Sequence, residues 1–381
     1  MTPDNPSLLE ARIARARDTC RSLGLDGLLV CHLPNIRYLT GFTGTAARLL
    51  LTSNRIVLLT DGRYKSVVQA RQNGPDACPG LSVVIADMGY DHATVELLRP
   101  VERPIGVEAG HFSLAAWLAL SPAATLVPTT GIIESLRIRK DSAEIAVIRE
   151  AAHLLSAVAE GVLADIGPGM RQTDVARALE AGMWRIGFTK PAFDTIVASG
   201  RDSALPHARA GEAVLAPGDL VVLDFGGLFR GYAVDMTRTV SLGQPSVEAR
   251  RMYAAVEAAH RAAVAAVRPG ARFVDVDAAA RDVLVASGLG EYFVHGTGHG
   301  LGLEVHEAPR IGPVRPTDPA EGILAPPGPT SLEPGMVVTI EPGAYVPGFR
   351  GVRIEDDVLV TDGGHELLTT VDRVLRVCGV A

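Results

Sequence analysis

Short apolar runs alternate with amphipathic segments through the first third of the chain. Apolar residues recur at helical spacing in residues 8–23, 62–72, 91–98 and 113–120, which predicts a helix in each. The apolar runs between them predict strands at residues 27–32, 46–53, 55–61, 81–87, 103–109 and 124–130. Strands that alternate with helices are typical of an α/β architecture. The pattern therefore predicts a small α/β domain over residues 1–133.

A charged connector at residues 133–140 leads into a second predicted domain, residues 141–381. Asp141 and Glu144 have the spacing of a capping box, and apolar residues then recur at helical spacing until the Gly-Pro-Gly at residues 167–169. The chain has 381 residues, more than a single core usually holds, which also favours two domains.

A weak internal repeat runs through the second domain. Residues 165–182 and 266–283 align at an offset of 101, so that Pro168-Gly169 matches Pro269-Gly270. A pair of acidic segments follows each copy at a similar distance. The repeat predicts two related α/β halves about a pseudo-two-fold axis, each of which contributes one acidic hairpin.

The first acidic hairpin is predicted around Asp224 and Asp235. Asp224 ends the apolar run at residues 221–223, Asp235 follows Ala233-Val234, and a glycine-rich segment at residues 226–231 separates them. Cross-strand neighbours lie about 5 Å apart, where like charges destabilise a sheet unless a cation lies between them.

The same arrangement recurs near the C-terminal end of the chain. A strand at residues 337–340 leads to Glu341, a Pro-Gly turn follows, and residues 352–354 lead to Glu355, which predicts a second hairpin. His299 lies between the two hairpins in a glycine-rich segment. Together the four carboxylates and the imidazole form a hard ligand set that suits two divalent cations.

Composition and charge indicate which partners and which cellular compartment are expected for this chain. The net charge is −7 without a basic tract, so no nucleic-acid partner is predicted. No apolar stretch reaches the roughly 18 residues of a membrane span, and the N-terminal segment lacks the apolar core of a signal peptide. The four cysteines are scattered without a CxxC pair, which predicts free thiols in a reducing compartment. The expected location is the cytoplasm, with no membrane partner.

The candidate residues lie in a series of distinct motifs: NIRYLTGFTG (35–44), ALPHAR (204–209), VVLDFGG (221–227), GYAVDMTRTV (231–240), FVHGTGHGLGLEVHEAP (293–309), VVTIEPG (337–343) and GVRIEDD (351–357). These motifs resemble those of the Xaa-Pro peptidases, the prolidase and aminopeptidase P branch of the pita-bread M24 metallopeptidases. The resemblance implies a C-terminal pita-bread catalytic domain behind an N-terminal creatinase-like α/β domain. It also implies two divalent metal ions, most often Mn²⁺, with Co²⁺ or Zn²⁺ as alternatives.

The resemblance assigns roles to the five predicted ligands. Asp224 and Asp235 would bind one metal ion, and His299 and Glu341 would complete the site of the other. Asp224 and Glu355 would bridge the two ions. Glu341 would also act as the general base for the attacking water.

Five residues are expected to act on a substrate that contains proline. His207 and His306 would stabilise the oxyanion of the carbonyl before proline and steer the leaving nitrogen. His295 and Phe193 would line the pocket. Arg310 would bind the carboxylate of a dipeptide, because an arginine and a carboxylate form a strong bidentate pair.

Further residues are expected to support the site. Arg353, Thr237 and Thr339 would hold the ligand carboxylates from behind. An insertion at residues 311–330 is expected to cap the cleft, which would alter the role of Arg310. Similar enzymes are homodimers, so the predicted loop at residues 32–44, with His32 and Arg37, would reach the active site of a partner subunit.

Several functions remain open. An Xaa-Pro dipeptidase, or prolidase, is favoured because of Arg310. An aminopeptidase P that acts on longer Xaa-Pro-Xaa peptides is the first alternative. A non-catalytic, peptide-binding scaffold with the pita-bread fold is an alternative of another class, against which the intact ligand positions count. The acidic charge and the lack of a phosphate-binding loop disfavour a two-metal phosphatase or nuclease.

Overall fold

The computed structural model describes residues 4–313 and 322–379. Within these residues the chain forms two compact units. The first unit ends at Arg137 and also includes a later segment that ends at Gly328, and the second contains the rest of the chain from Ile138 onward. Within the described ranges, no helix is both long and apolar enough to cross a lipid bilayer.

The first unit is built around a mixed sheet. Its helices are α1 (Pro6–Ser22), α2 (Leu33–Thr40), α3 (Lys65–Gln72), α4 (Tyr90–Leu98), α5 (Leu114–Leu120) and α6 (Ile132–Arg137). Its strands are β1 (Gly27–Val30), β2 (Arg48–Thr52), β3 (Ile56–Thr60), β4 (Leu81–Ile85), β5 (Ile105–Glu108) and β6 (Leu126–Thr129). The strand order is β4-β3-β2-β1-β5-β6, and β2 runs antiparallel to both of its neighbours. Every strand and helix predicted for this region overlaps an observed one.

Two segments of the first unit differ from the prediction. The predicted loop at residues 32–44 contains α2, which has Pro34 in its first turn and is followed by Gly41 at φ 69°. A proline fits the first turn because its missing N–H is not needed there, and a left-handed glycine ends a helix without strain. The predicted connector at residues 133–140 contains all but the first residue of α6, whose Ile132 and Ile133 are buried.

The second unit combines four long helices with two five-stranded sheets and a separate two-stranded sheet. Its helices are α7 (Ser142–Asp165), α8 (Gln172–Arg185), α9 (Val247–Ala266) and α10 (Phe273–Ala286). Its strands are β7 (Lys190–Pro191), β8 (Ile196–Ser199), β9 (Leu220–Phe229), β10 (Tyr232–Leu242), β11 (Gly298–Gly300), β12 (Glu307–Ile311), β13 (Val337–Ile340), β14 (Gly343–Val346), β15 (Arg350–Arg353), β16 (Asp356–Thr361), β17 (Gly364–Leu367) and β18 (Val377–Cys378). One sheet has the order β18-β10-β9-β7 with β8 also paired to β9, and the other has the order β12-β11-β13-β16-β17.

The weak sequence repeat corresponds to a structural repeat. Helices α8 and α10 each have 14 residues, and their first residues, Gln172 and Phe273, are separated by the offset of 101 found in the sequence. The helices before them, α7 and α9, end at positions with the same separation. In the connecting turns, Gly169 and Gly270 adopt φ angles of 92° and 80°. Each half thus contains one helix–turn–helix followed by antiparallel strands.

The first acidic hairpin forms with a tighter turn than predicted. Strands β9 and β10 are antiparallel, and Asp224 lies opposite Thr237 while Asp235 lies two residues closer to the turn. Both strands continue through most of the glycine-rich segment, and Arg230 and Gly231, at φ 48° and 82°, reverse the chain. Two consecutive residues with positive φ match the twist of a hairpin.

The prediction of a second acidic hairpin is wrong. Strand β13, which ends just before Glu341, pairs with β16, which begins just after Glu355. Residues 352–354 do not pair with β13, because β15 forms a separate hairpin with β14. Glu341 and Glu355 therefore lie at the same end of the antiparallel pair formed by β13 and β16. Buried residues of α9 and α10, including Val256 and Leu284, belong to the same core cluster as strands β13 and β16 and fix that end in place.

Candidate metal centre

One cavity of about 540 Å³ in the second unit contains all five predicted metal ligands in its lining. The other predicted site residues that line it are those proposed to contact substrate, together with Arg353. Thr237 and Thr339 are fully buried behind the lining. The lining side chains from the prediction are Phe193, His207, Asp224, Asp235, His295, His299, His306, Arg310, Glu341, Arg353 and Glu355.

Three of the predicted ligands form a compact group. Ligand atoms of Asp235, His299 and Glu355 all lie within 4.8 Å of one another. His299 connects this group to Glu341, since its Nε2 lies 3.5 Å from Glu341 Oε1. Asp235 Oδ1 is buried and has no hydrogen-bond partner within the described part of the chain. A buried carboxylate oxygen without a donor is costly, and a cation would satisfy it.

The electrostatics of these acids fit divalent cations. Burial, followed by repulsion from Glu355 and Asp224, raises the pKa of Asp235 well above its usual value. Burial, with repulsion from Glu341 and Asp224, likewise raises the pKa of Glu355. Burial raises the pKa of Glu341 to about 8. A dication among them reverses the sign of these interactions and favours the charged carboxylates.

His299 is prepared to act as a neutral ligand. Burial lowers its pKa to about 4, so the imidazole is uncharged at neutral pH. Its Nδ1 lies 3.0 Å from the carbonyl oxygen of Gly300 and donates to it, which leaves the lone pair of Nε2 free. Such a bond fixes the tautomer of a metal-binding histidine. Space also constrains this strand, because a Cβ on Gly298 would lie 1.9 Å from the carbonyl oxygen of Thr339.

Arg353 organises the ligands on the other side of the cavity. Its guanidinium donates to Asp224 Oδ2, to Thr237 Oγ1 at 3.1 Å and to the hydroxyl of Tyr345 at 2.6 Å. Thr237 in turn donates to Glu355 Oε2 at 2.6 Å. One buried arginine therefore orients Asp224 directly and Glu355 through a threonine. Asp224 shares its carboxylate between this arginine and the cavity.

Thr339 makes the corresponding contacts in the other half. The backbone N–H of His299 donates to Thr339 Oγ1 at 3.1 Å. The same hydroxyl donates to Glu341 Oε1 at 3.4 Å. Thr339 thus ties the imidazole ligand to the glutamate that follows β13.

The histidines and Phe193 form the wall beside the ligands. His306 packs edge to face on His299 with ring centroids 4.4 Å apart, and burial lowers its pKa. His207 is exposed in the mouth of the cavity. Phe193 lies over Gly226, where a Cβ would come within 2.9 Å of the ring. The glycine after Asp224-Phe225 is therefore required for this aromatic wall.

Arg310 lies in the register position opposite His299 on the neighbouring strand β12. Its side chain is flanked by two glycines, since a Cβ on Gly296 would lie 3.6 Å from its Nε and a Cβ on Gly312 would lie 3.2 Å from it. Within the described residues, no carboxylate forms an ion pair with Arg310. It is thus a cation in the cavity wall that is available to a ligand.

Several residues that contact the site or its loops are not among those predicted from the sequence. The hydroxyl of Tyr345 lies 3.1 Å from His295 Nε2 and so connects that histidine to Arg353. Gln172 is buried on α8 and holds both ends of the loop that carries His207, because it donates to Asp202 and accepts from the backbone N–H of Gly211. No local pattern distinguishes either residue from a core residue, since their partners are distant in sequence.

The sequence does contain a signal for the two acidic residues after Glu355, Asp356 and Asp357. Asp356 is buried and paired with Arg238, whose guanidinium also donates to the carbonyl oxygen of Glu355 at 2.5 Å. Asp357 accepts a hydrogen bond from the backbone N–H of Asp235 at 3.1 Å. The run of three acids in GVRIEDD is a signal that more than one of them serves the site.

The sequence also predicts two accessory segments, at residues 32–44 and 311–330. In the first unit, His32 stacks on His111 with ring centroids 3.7 Å apart and lies 3.7 Å from Glu134. Within the predicted insertion at residues 311–330, residues 314–321 lie outside the described part of the chain.

Comparison with known proteins agrees with this donor set. Residues 146–362 match the model of metallopeptidase family M24, and residues 12–139 match the Creatinase/Prolidase N-terminal domain. The chain belongs to metallopeptidase family M24. It is thus a metal-dependent peptidase with the pita-bread fold.

Similar M24 proteins include named Xaa-Pro peptidases. The Xaa-Pro dipeptidase of Pyrococcus furiosus is 42% identical over 244 residues, which cover 64% of this chain and 66% of that protein. The solved structure of an Xaa-Pro dipeptidase from Bacillus anthracis has a TM-score of 0.88 and 37% identity and covers 97% of this chain and 99% of that one. An X-Pro aminopeptidase from Thermotoga maritima has a TM-score of 0.81 and 32% identity and covers 94% of this chain and 99% of that one.

Proposed function

We propose that this M24 metallopeptidase is an Xaa-Pro dipeptidase that uses two divalent metal ions, with Mn²⁺ foremost and Co²⁺ or Zn²⁺ as alternatives. The observation that carries the proposal is a single cavity in which four carboxylates and a neutral imidazole meet a wall with three further histidines and Arg310. The similar proteins from Pyrococcus furiosus and Bacillus anthracis carry the name Xaa-Pro dipeptidase, which supports this substrate class.

The ligands and Glu341 prepare the attack on the peptide bond. Two bound divalent cations would polarise the carbonyl before proline and acidify a water molecule. The five ligands, which include Glu341 itself, would hold the ions in the geometry that Thr237, Thr339 and Arg353 impose. Glu341 would accept the proton of the attacking water, a role that suits a carboxylate beside the nucleophile.

The histidines act on the developing charges. His207 and His306 would donate hydrogen bonds to the oxyanion and steer the leaving imide nitrogen, which would receive the proton that Glu341 took from the attacking water. His306 is neutral because burial lowers its pKa, so one ring nitrogen can donate while the other accepts. His295 and Phe193 would enclose the residue on either side of the scissile bond.

Arg310 would select the length of the substrate. The product proline of a dipeptide carries a free carboxylate, and Arg310 has no acidic partner in the described chain that would compete for it. A bidentate arginine–carboxylate pair has both the energy and the directionality to favour a dipeptide. A longer Xaa-Pro-Xaa peptide replaces this carboxylate with an uncharged amide and loses the pair.

The experiment compares proline release from Leu-Pro with cleavage of Leu-Pro-Gly by the Mn²⁺-loaded protein. The proposal predicts that Leu-Pro is the better substrate. In Arg310→Ala, kcat/KM should fall at least about 10-fold on Leu-Pro and change little on Leu-Pro-Gly, because a charged hydrogen bond is worth about 1.5–3 kcal/mol.

A matched control separates this effect from loss of charge alone. Arg268→Ala removes an exposed arginine of the same unit and should leave both activities unchanged. Equal losses on both substrates in Arg310→Ala would refute the proposed binding of the dipeptide carboxylate by Arg310. A wild-type preference for Leu-Pro-Gly would favour an aminopeptidase P, and no turnover of either peptide would sink the proposal.

The proposal extends to assembly and location. We expect a homodimer in which the segment at residues 32–44, with His32 and Arg37, approaches the cavity of the partner subunit, and light scattering of the purified protein tests the dimer. A cytoplasmic location is supported by the four free cysteines, which suit a reducing compartment.

A further inference from the structure

A buried acid paired with a partly exposed arginine lies on α10, outside the cavity lining. Asp277 is 3% exposed, and its two carboxylate oxygens accept from Arg281 at 2.8 and 3.0 Å. The two residues are four apart, so they face the same side of the helix. The mechanism described above uses neither of them.

The pair holds the segment that leads from α10 to the predicted metal ligand His299. Asp277 Oδ1 accepts from the backbone N–H of Thr297 at 3.0 Å and from its hydroxyl at 2.9 Å. Arg281 donates to the carbonyl oxygens of Phe293 and His295 at 3.1 and 2.9 Å. The guanidinium also lies 4.2 Å from the centroid of the Phe293 ring. The segment is therefore tied to one helix at three residues.

This segment is in direct contact with two predicted ligands. Thr297 precedes His299 by two residues, and its carbonyl oxygen accepts from the backbone N–H of Glu341 at 2.7 Å. Gly298, which lies between Thr297 and His299, packs so closely on the Thr339 backbone that a Cβ would clash with it. A shift of Thr297 would therefore move His299 and Glu341 together.

The internal repeat shows that the helix itself does not need the pair. The positions of Asp277 and Arg281 correspond, at the offset of 101, to Ala176 and Glu180 in α8. Helix α8 forms with the same length without an acid–arginine pair at these positions. The pair is present in the half that supplies His299 and Glu341.

We propose that Asp277, held by Arg281, is a positioning residue that sets His299 and Glu341 for metal binding. The inference rests on the proposed metal centre and deepens it. Residues that orient metal ligands from behind typically contribute about 10- to 100-fold in metal affinity. The bonds run through the backbone of residues 293–297, so the effect is expected on the geometry of the ligands.

The test is a titration of the metal-stripped full-length protein with Mn²⁺ by calorimetry and with Co²⁺ by visible absorption. Asp277→Ala should weaken binding about 10- to 100-fold and change the intensity of the Co²⁺ spectrum, which reports ligand geometry. Asp277→Asn keeps an acceptor for Thr297 and should fall between Asp277→Ala and the wild type. At saturating Mn²⁺, kcat should fall while KM for Leu-Pro stays within about twofold.

Asp282→Asn is the matched control, because it removes an exposed acid from the same helix. It should leave affinity and spectrum unchanged. Arg281→Met provides a second route to the same result, since it leaves Asp277 in place without its support. Circular dichroism of each variant before titration allows the affinity to be expressed per folded molecule.

Wild-type Mn²⁺ affinity and an unaltered Co²⁺ spectrum in folded Asp277→Ala would overturn the proposal and leave the pair with a purely structural role. If Asp277→Ala lowers the melting temperature without changing metal binding, the pair likewise has a purely structural role. Metal binding is measured without peptide, so failure of the proposed Xaa-Pro specificity would appear in the wild type and leave this result intact.

Discussion

At the scale of single residues, the site combines ligands that the sequence reveals with supports that it conceals. Asp224, Asp235 and Glu355 could be predicted because each places a charge at the end of an apolar segment, where an uncompensated charge is costly. Tyr345 and Asp277 could not, since each acts through a partner brought close by folding. A tyrosine in a strand and an acid in a helix are ordinary features of a sequence.

Removal of the Tyr345 hydroxyl tests how far these supports matter. In Tyr345→Phe, the ring still packs, but the bonds to His295 and Arg353 are lost. A hydrogen bond to a charged group contributes about 1.5–3 kcal/mol, so kcat/KM for Leu-Pro should fall about 10- to 100-fold. Steady-state kinetics at saturating Mn²⁺ measure it, with Tyr292→Phe, which lies outside the cavity lining, as the control. Unchanged kinetics would show that Arg353 keeps its position without Tyr345.

At the scale of elements, helices were predicted more completely than strand pairings. The capping box at Asp141 and the glycine turn after α7 are local signals, and both are present in the structure. The partner of β15 is not a local property. Residues 352–354 could pair with either of two earlier strands on alternation alone, and the structure selects β14. The loop predicted at residues 32–44 failed for a related reason, because a proline in a first helical turn resembles a proline in a loop.

The cap of α7 provides the prediction at this scale. Asp141 accepts from the backbone N–H groups of Ala143 and Glu144, each at 3.0 Å. Asp141→Ala should lower the free energy of unfolding by about 1 kcal/mol, or roughly 2–4 °C in melting temperature, because these donors lose their acceptor. Calorimetry of the Mn²⁺-loaded protein measures it. Asp165→Ala, at the exposed end of the same helix, should cause no loss, and equal loss in the two variants would argue against the cap.

At the scale of the whole molecule, metal binding and folding are coupled through the buried acids. The pKa values of Asp235, Glu341 and Glu355 are raised in the folded chain, that of Glu341 to about 8. Without metal, the folded state therefore holds protons that the unfolded state releases. Its stability should fall as pH rises from about 4, the usual carboxyl value, to about 8. Dications replace those protons and remove the penalty.

Melting curves with and without EDTA at pH 5.5 and pH 8 test this coupling. The difference in melting temperature between the Mn²⁺-loaded and the chelated protein should be larger at pH 8, because the acids are then charged and repel one another without metal. The loaded protein should vary less between the two values of pH. A difference that is the same at both, or larger at pH 5.5, would contradict the assignment of these acids as ligands.

The central claim is that two divalent cations hold these acids together. Diffraction from crystals grown with Mn²⁺, recorded on both sides of the manganese absorption edge, tests it most directly. The account predicts two anomalous peaks within bonding distance of the cluster, one beside Asp235 and one beside His299, with Asp224 and Glu355 reaching both. A map without peaks there, with the carboxylates of Asp224 and Glu355 turned away from each other, would contradict it.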